Sequence, residues 1–221
     1  MAETARAVDD YIAERLLGPD PALEAALAAN AAGGLPPIDV SPAHGRMLHL
    51  FARMVGARRV LEVGTLGGYS TISLARALPP GGKVVTLEID PRHAEVARGN
   101  LAKAGVDGMV EIRLGPAIDS LRAMIAAGEE AFDFVFVDAD KQSNADYVRA
   151  ALDLTHPGSA IVVDNVVRQG KVIDEASTDA MVQGTRRLYD YLHTETRLDC
   201  TAVQTVGAKN WDGFVLALVK G

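Results

Sequence analysis

The sequence predicts an α/β fold with five parallel strands, a C-terminal antiparallel hairpin and helices on both faces of the sheet. Short apolar segments that end in turns alternate with segments of helical periodicity between residues 42 and 193. Such alternation is typical of parallel strands joined by right-handed crossovers. The last two apolar segments, 201–206 and 213–219, are separated only by residues 207–212. Since this connection is too short for a crossover, it indicates a hairpin.

The first predicted strand and its exit turn are the most informative stretch. Residues 60–63 are apolar except for Glu62, and the glycines Gly64, Gly67 and Gly68 follow before a helical pattern begins. In doubly wound sheets, nucleotides bind at such a strand end, where glycines let a ligand approach the backbone. Dinucleotide sites use the different spacing G-x-G-x-x-G. Glu62 would repel a diphosphate and suits a ligand with an amino group or cation, such as S-adenosylmethionine. The alternative is an ordinary turn beside a solvated glutamate.

The other elements follow in chain order. Ser41 precedes Pro42 and is predicted to cap a helix. Residues 166–180 are polar and turn-rich, and we expect a mobile loop there. We predict one domain over residues 1–221, whose N-terminal helical extension (about 1–55) covers the site or forms a dimer contact. Further strands are predicted over 83–88, 110–114, 132–137 and 159–163, and helices over 4–32 with a break at 19–21, then 94–104, 121–127, 147–154 and 180–193.

Composition excludes several classes of protein. The net charge is −7 and no dense cluster of Lys and Arg is present, which argues against nucleic-acid binding. The sequence contains no run of about 18 apolar residues, the length needed to span a membrane. The acidic N-terminus lacks the apolar region of a secretory signal. The single cysteine, Cys200, fits a reducing compartment, so we expect a cytoplasmic protein. Because Cys200 lies in a strand-like segment, we predict a buried structural thiol.

Four acids close predicted parallel strands: Glu62, Glu88, Asp138 and Asp164. Because ligands bind outside the carboxyl ends of such strands, we expect these side chains to converge. Glu88 lies 24 residues after Gly64, and an acid at about this distance binds the ribose hydroxyls of a nucleoside. A helix-capping or exposed glutamate is the alternative.

Oxygen ligands for a metal follow two of these strands. Asp138, Asp164 and Asn165 offer two carboxylates and an amide oxygen, which suit a hard divalent cation that also binds water or substrate oxygens. The five histidines are scattered and no His/Cys cluster indicates zinc. Two aspartates that cap the following helices are the alternative.

Lys141 follows Asp138 by three residues, about one helical turn, so both can face one site. Near a metal and a sulfonium the charged form of this lysine is disfavoured, and it could then accept a proton. A surface lysine paired with Asp140 is the alternative, and the spacing does not decide between the two.

Several segments together resemble the cation-dependent class I O-methyltransferases, the family of catechol and caffeoyl-CoA O-methyltransferases. The resemblance extends from about Tyr11 to Val219. Its most specific parts are residues 60–70 (VLEVGTLGGYS), 136–141 (FVDADK) and 163–165 (VDN), and the turn at 211–213 (WDG) is also similar.

The resemblance implies a class I methyltransferase (Rossmann-like) sheet in a protein that is usually dimeric. It also implies a role for each matching residue. Glu88 would hold the ribose, Ala117 would contact the adenine side and Asp140 would lie against the cofactor. Asp138, Asp164 and Asn165 would bind the metal, and Lys141 would be the general base. The residues around the methionine end of the cofactor would be Val40, Glu62, Gly64, Thr65 and Ser70.

Relatives commonly carry Glu or Lys followed by Gly-Gln where this chain has His44-Gly45-Arg46, so substrate choice is open there. We therefore predict an S-adenosylmethionine-dependent and divalent-metal-dependent O-methyltransferase. Its acceptor would be a catechol-like or vicinal-dihydroxy aromatic molecule. Mg²⁺ is the expected ion, with Mn²⁺ or Ca²⁺ as alternatives. Two other classes stay open: a nicotinamide-dependent oxidoreductase, and a non-catalytic cofactor-binding protein.

Overall fold

The computed structural model describes residues 2–207 and 209–221. Its strands are β1 (Arg59–Val63), β2 (Lys83–Glu88), β3 (Val110–Leu114), β4 (Phe132–Val137), β5 (Thr155–Asp164), β6 (Leu198–Gly207) and β7 (Asn210–Val219). Its α-helices are α1 (Ala2–Leu16), α2 (Pro21–Ala32), α3 (Pro42–Met54), α4 (Tyr69–Ala75), α5 (Pro91–Lys103), α6 (Ala117–Ala127), α7 (Asn144–Leu152) and α8 (Ala180–Thr194).

The seven strands form one sheet in the order β3-β2-β1-β4-β5-β7-β6. Strands β1 to β5 pair in parallel, whereas β7 is antiparallel to both β5 and β6. The predicted five parallel strands and terminal hairpin are therefore confirmed. The chain builds outward from β1 to β3 and then returns to place β4 on the other side of β1. The point where strand order reverses, between β1 and β4, is where such sheets bind ligands.

The core consists of two apolar layers, one on each face of the sheet. On one face, buried residues of α6, α7 and α8 such as Leu121 and Leu188 pack against β1, β4 and β5. On the other face, α2, α3, α4 and α5 contribute residues such as Leu48 and Ile72. Helices thus cover both faces, as predicted. The central strands are buried nearly throughout, which explains their continuous apolar runs.

Local signals determine several helix starts. Ser41 Oγ accepts a hydrogen bond from the backbone N–H of His44 at 3.2 Å, so the predicted cap of α3 is confirmed. Asp20 caps α2 in the same way, accepting from Leu23 N–H at 3.1 Å. No helix within residues 2–207 and 209–221 has the length and apolar character needed to cross a membrane.

Several details differ from the sequence prediction. Strand β5 begins at Thr155 rather than at 159, and helix α6 begins at Ala117 rather than at 121. The hairpin strands extend further toward their turn than predicted. The segment after β5 begins with two buried residues, Val166 and Val167, so it is not wholly polar. It continues in 3₁₀ turns over Arg168–Ile173, in agreement with the predicted turns, and its mobility stays a prediction. Cys200 is exposed, and the prediction of a buried thiol is wrong. Its strand β6 is the edge of the sheet and is largely uncovered by helices.

Candidate functional site

The candidate site lies where the carboxyl ends of β1, β2, β4 and β5 meet. These four strands are consecutive neighbours in the sheet. Most of the predicted cofactor and metal residues lie at or just after these ends, so the alternation of strands and helices brings them to one edge. Val40, which precedes α3, and Ala117, which follows β3, are the exceptions.

The glycine turn after β1 packs directly against the exit of β4. Gly64 adopts a φ of 101°, and a Cβ there would collide with the Asp138 carbonyl. The backbone N–H of Asp138 donates to the Val63 carbonyl at 2.8 Å. Gly68 begins α4 with a φ of 84°. Because L side chains rarely adopt such angles, this turn requires glycine and brings bare backbone to the strand ends.

Glu88 organises the turn from the end of β2. Its Oε2 accepts from the N–H groups of Thr65 at 3.2 Å and Leu66 at 2.8 Å. Its Oε1 accepts from the N–H groups of Ile89 and Asp90, both at 2.9 Å. The residue is only 6% exposed, so the alternative of an exposed glutamate is wrong. Gly115, two residues before α6 begins at Ala117, donates its N–H to the Glu88 carbonyl at 2.8 Å.

Glu62 lies fully buried beneath the turn. Its carboxylate accepts hydrogen bonds from the hydroxyls of Ser70 at 2.6 Å, Thr71 at 2.5 Å and Thr86 at 2.7 Å. Burial raises its pKa to about 7, against the opposing effect of these hydroxyl donors. The alternative of a solvated glutamate is therefore wrong. Glu62 holds Ser70 in place, and a direct contact of either residue with a cofactor stays a prediction.

Lys141 and Asp138 form a close pair. Lys141 Nζ lies 2.6 Å from Asp138 Oδ1, and the lysine is 7% exposed. The alternative of a surface lysine paired with Asp140 is wrong. The Asp140 carboxylate instead accepts from Ser143 Oγ and from the Tyr147 hydroxyl, both at 2.5 Å.

Asp164 and Asn165 face this pair from the end of β5. Asp164 is 6% exposed, and its pKa is raised to about 8, first by burial and then by the neighbouring charge of Asp138. Asn165 has a φ of 60°, a conformation that asparagine tolerates better than most residues. His44 Nδ1 lies 3.8 Å from Asp164 Oδ2, and burial lowers the pKa of this histidine.

A cleft of about 820 Å³ opens over these groups. Val40, Asp138, Asp164 and Asn165 all line it, together with His44 and with residues of the 3₁₀ segment and the β6–β7 turn. The turn residues Gly64 and Thr65, Glu88 at the end of β2, and Lys141 are not among the residues that line this cleft. A separate cavity of about 600 Å³ lies between the N-terminal helices and α3, and it contains none of the predicted site residues.

Asp212 and Arg168 are among the cleft residues that were not assigned a role from the sequence. Asp212 Oδ1 accepts from the N–H groups of Val167 at 2.9 Å, Arg168 at 3.0 Å and Gly213 at 3.0 Å, so it fixes the backbone that follows the metal-ligand candidates. Arg168 itself lines the cleft. Asp212 falls in the turn 211–213 that carries part of the family resemblance, whereas no local signal pointed to Arg168.

This sheet, with its glycine turn and converging acids, defines the class I methyltransferase fold. The sequence model described as O-methyltransferase matches residues 20–219. A catechol O-methyltransferase of Niastella koreensis is 49% identical over 213 residues, which are 96% of this chain and 96% of that protein. A catechol O-methyltransferase of Mycobacterium tuberculosis is 53% identical over 213 residues, or 96% and 95% of the two chains.

A solved structure of an O-methyltransferase from Bacillus cereus in complex with SAH superimposes with a TM-score of 0.98. It is 51% identical, and the match covers 100% of each chain. The chain belongs to the O-methyltransferase family. The predicted resemblance, fold and enzyme class, an S-adenosylmethionine-dependent O-methyltransferase, are thereby confirmed.

Proposed function

We propose that this enzyme transfers the methyl group of S-adenosylmethionine to one hydroxyl of a catechol-like or other vicinal-dihydroxy aromatic molecule, with the help of a divalent cation. One observation supports this above all. Asp138 and Asp164 are close enough for the charge of Asp138 to raise the pKa of Asp164, and both line the cleft with Asn165 beside Lys141. The names of two relatives, both catechol O-methyltransferases, support the same acceptor class.

The donor set fits a hard cation. Asp138 and Asp164 supply carboxylate oxygens and Asn165 an amide oxygen, and Mg²⁺, Mn²⁺ or Ca²⁺ prefer such ligands. Residues 2–207 and 209–221 contain no group of three or more His, Cys, Asp and Glu side chains arranged for a metal, so this site depends on the amide and on further oxygens from water or substrate. Held by these residues, the cation would act as a Lewis acid and lower the pKa of the acceptor hydroxyl that reacts.

The residues predicted for the methyl donor also fit, with one condition. S-adenosylmethionine supplies a methyl group on a sulfonium. Val40, Gly64, Thr65 and the Asp138 end of the cleft would surround its methionine portion, Ser70 and Glu62 would support the turn, and Ala117 and Asp140 would flank the remainder. Glu88 would accept hydrogen bonds from the ribose hydroxyls, but four N–H groups already occupy its acceptor sites. The longest of these hydrogen bonds, donated by the Thr65 N–H, would have to break when the ribose binds.

Lys141 is the proposed general base. Its Nζ lies 2.6 Å from Oδ1 of Asp138, which lines the cleft, so the lysine could take the hydroxyl proton of an acceptor held next to it. The oxyanion would then attack the methyl carbon in line, the bond from sulfur to this carbon would break, and S-adenosylhomocysteine would leave. Most of the acceleration would come from holding two reactants in this geometry.

A methylation assay tests the proposal. Purified enzyme is stripped with EDTA and incubated with S-adenosylmethionine and catechol, with and without added Mg²⁺, and products are identified by mass spectrometry. We expect a monomethylated product only when the ion is present. Methylation of catechol at full rate in EDTA would contradict the metal site, and absence of any methylated product would contradict the acceptor class.

The remaining predictions concern the whole molecule. We propose a homodimer in the cytoplasm that methylates a small molecule rather than nucleic acid, with a single domain over residues 1–221. Three exposed apolar side chains on α1 support a contact between copies: Val8, Tyr11 and Leu16, which are 50%, 59% and 76% exposed.

A further inference from the structure

Arg168 sits in the cleft with a guanidinium that has few good partners. Within the described ranges, its Nε is buried and has no hydrogen-bond partner. Its Nη2 donates to Met181 Sδ at 3.2 Å, and sulfur is a weak acceptor. Its Nη1 lies 3.8 Å from Asp212 Oδ2, which is too long for a hydrogen bond. The Arg168 side chain is 23% exposed, and an unsatisfied buried donor such as its Nε costs stability. Beyond its ion pair with Asp212, the guanidinium therefore keeps donors for an acceptor in the cleft.

The backbone that presents Arg168 is unusual. Arg168 and Gln169 have φ values of 54° and 56°, and Gly170 follows at 80°. Two consecutive non-glycine residues in the left-handed region are strained, and such strain concentrates at functional sites. The conformation is held from outside the segment: Asp212 binds the Arg168 N–H at 3.0 Å, and the Trp211 ring packs so closely on Gly170 that a Cβ there would lie 2.8 Å from it.

Arg168 shares the cleft with the residues proposed to bind the metal. It follows Asn165 by three residues, and both line the same cleft as Asp138 and Asp164. A side chain here would meet the part of an acceptor that projects away from the diol. Guanidinium groups bind carboxylates through two parallel hydrogen bonds, which gives both affinity and orientation.

Five aspartates line the cleft: Asp9, Asp39, Asp138, Asp164 and Asp212. Asp39 accepts a hydrogen bond from Asn30 Nδ2 at 2.8 Å, Asp138 pairs with Lys141, and Asp212 Oδ1 is occupied by backbone N–H groups. Arg6 and Lys209 add positive charge to the lining, and Lys209 Nζ donates to the Pro37 carbonyl at 3.3 Å. Together with Arg168 they give the cleft positive groups that an anion could bind.

We infer that the acceptor carries a carboxylate on its ring or side chain, and that Arg168 binds this group and orients the diol. The inference rests on the proposed function and names its acceptor class more closely. Arg168 is a specificity-determining residue in this scheme, whereas Lys141 and the oxygen ligands act on the diol.

The test compares protocatechuate with its neutral amide, which keeps the same ring and diol. We expect wild-type kcat/KM to favour the acid by about 10- to 100-fold, the size expected for a charge-assisted hydrogen bond. In Arg168→Gln this ratio should fall close to one, mainly through a higher KM for the acid. Arg168→Lys should give an intermediate ratio because it keeps the charge but not the two-point geometry. Arg122→Gln removes the same charge from a 72% exposed side chain outside the cleft and should leave the ratio unchanged.

Equal use of acid and amide by the wild type would overturn the inference, as would an unchanged ratio in Arg168→Gln. Should Arg168→Gln fail to fold, the wild-type ratio and Arg168→Lys still decide. Methylation of the amide and of catechol itself reports on the proposed function separately: if both are methylated while the acid has no advantage, the carboxylate inference fails and the proposed function stands. If none of the three is methylated, both fail.

Discussion

Lys141 Nζ and Asp138 Oδ1 lie 2.6 Å apart, so the proposed base and a proposed metal ligand form a single ion pair. The two side chains are only 9% and 21% exposed. Breaking a buried pair by removal of one partner leaves an uncompensated charge and is costly. Any test of the base must therefore separate proton transfer from charge pairing.

Substitution of Lys141 separates these two roles. Lys141→Arg keeps a positive charge beside Asp138 but cannot accept a proton, whereas Lys141→Ala loses both. We expect both variants to lose about 10²- to 10⁴-fold in kcat at pH 7, the usual contribution of a positioned general base. Only the Ala variant should also lose thermal stability. Near-normal kcat in Lys141→Arg would show that metal activation and charge pairing suffice without a basic lysine.

Removal of the metal should abolish turnover, and substitution of Asp164 should abolish metal binding. We expect EDTA to eliminate activity and Mg²⁺ or Mn²⁺ to restore it. In Asp164→Asn, the increase in melting temperature on adding Mg²⁺ should disappear, because one of two carboxylate ligands is lost, while SAH binding persists. Asp153→Asn, at a 49% exposed side chain far from the cleft, should keep the metal-induced shift. An intact Mg²⁺ shift in Asp164→Asn would reject this site.

Glu88→Ala should weaken the binding of S-adenosylmethionine by about 1–3 kcal/mol, because a charged acceptor is lost. The structure adds a second cause, since the same carboxylate holds four backbone N–H groups of the turn. Calorimetry measures the affinity, and Glu95→Ala on the exposed face of α5 is the control. Unchanged affinity in Glu88→Ala would reject both roles. Parallel titrations with NAD should show no binding.

The sequence predicted the acids of the site because strand alternation determines where strand ends meet. Glu88, Asp138 and Asp164 each close an apolar run, so their placement needed no side-chain geometry. Arg168 could not be found this way, since its presentation depends on left-handed residues held by Asp212 and Trp211 from another strand. The exposure of Cys200 could not be predicted from the sequence either. Whether a strand lies at the edge of the sheet depends on the order of all seven strands.

The protein should sediment as a homodimer of about twice its chain mass of 23.3 kDa. The N-terminal helix α1 exposes Leu16 by 76%, and burial of such side chains against a second copy is favourable. Leu16→Asp should shift the equilibrium toward monomer, whereas Ile173→Asp, at another highly exposed residue, should not. A wild-type species with the 23.3 kDa mass of one chain at micromolar concentration would contradict the dimer.

Glu62 should make the stability of the protein fall as pH rises toward neutrality. Burial raises its pKa in the folded protein from an ordinary 4.5 to about 7, so between these values the folded state binds more protons than the unfolded chain. The free energy of unfolding then decreases with pH across this window and levels off above it. The pKa difference corresponds to a change on the order of 3 kcal/mol.

Other groups titrate in the same range, so the measurement is a comparison. Urea unfolding of wild type and Glu62→Gln at pH 5 and pH 8 gives the change in the free energy of unfolding for each. The amide introduced by Glu62→Gln cannot ionise but still offers an oxygen to the surrounding hydroxyls, so this variant should lose less stability between the two pH values. Glu95→Gln, at an exposed glutamate of α5, should behave as wild type. Identical pH dependence in wild type and Glu62→Gln would mean that the three hydroxyl donors, from Ser70, Thr71 and Thr86, offset burial completely and keep this carboxylate ionised throughout.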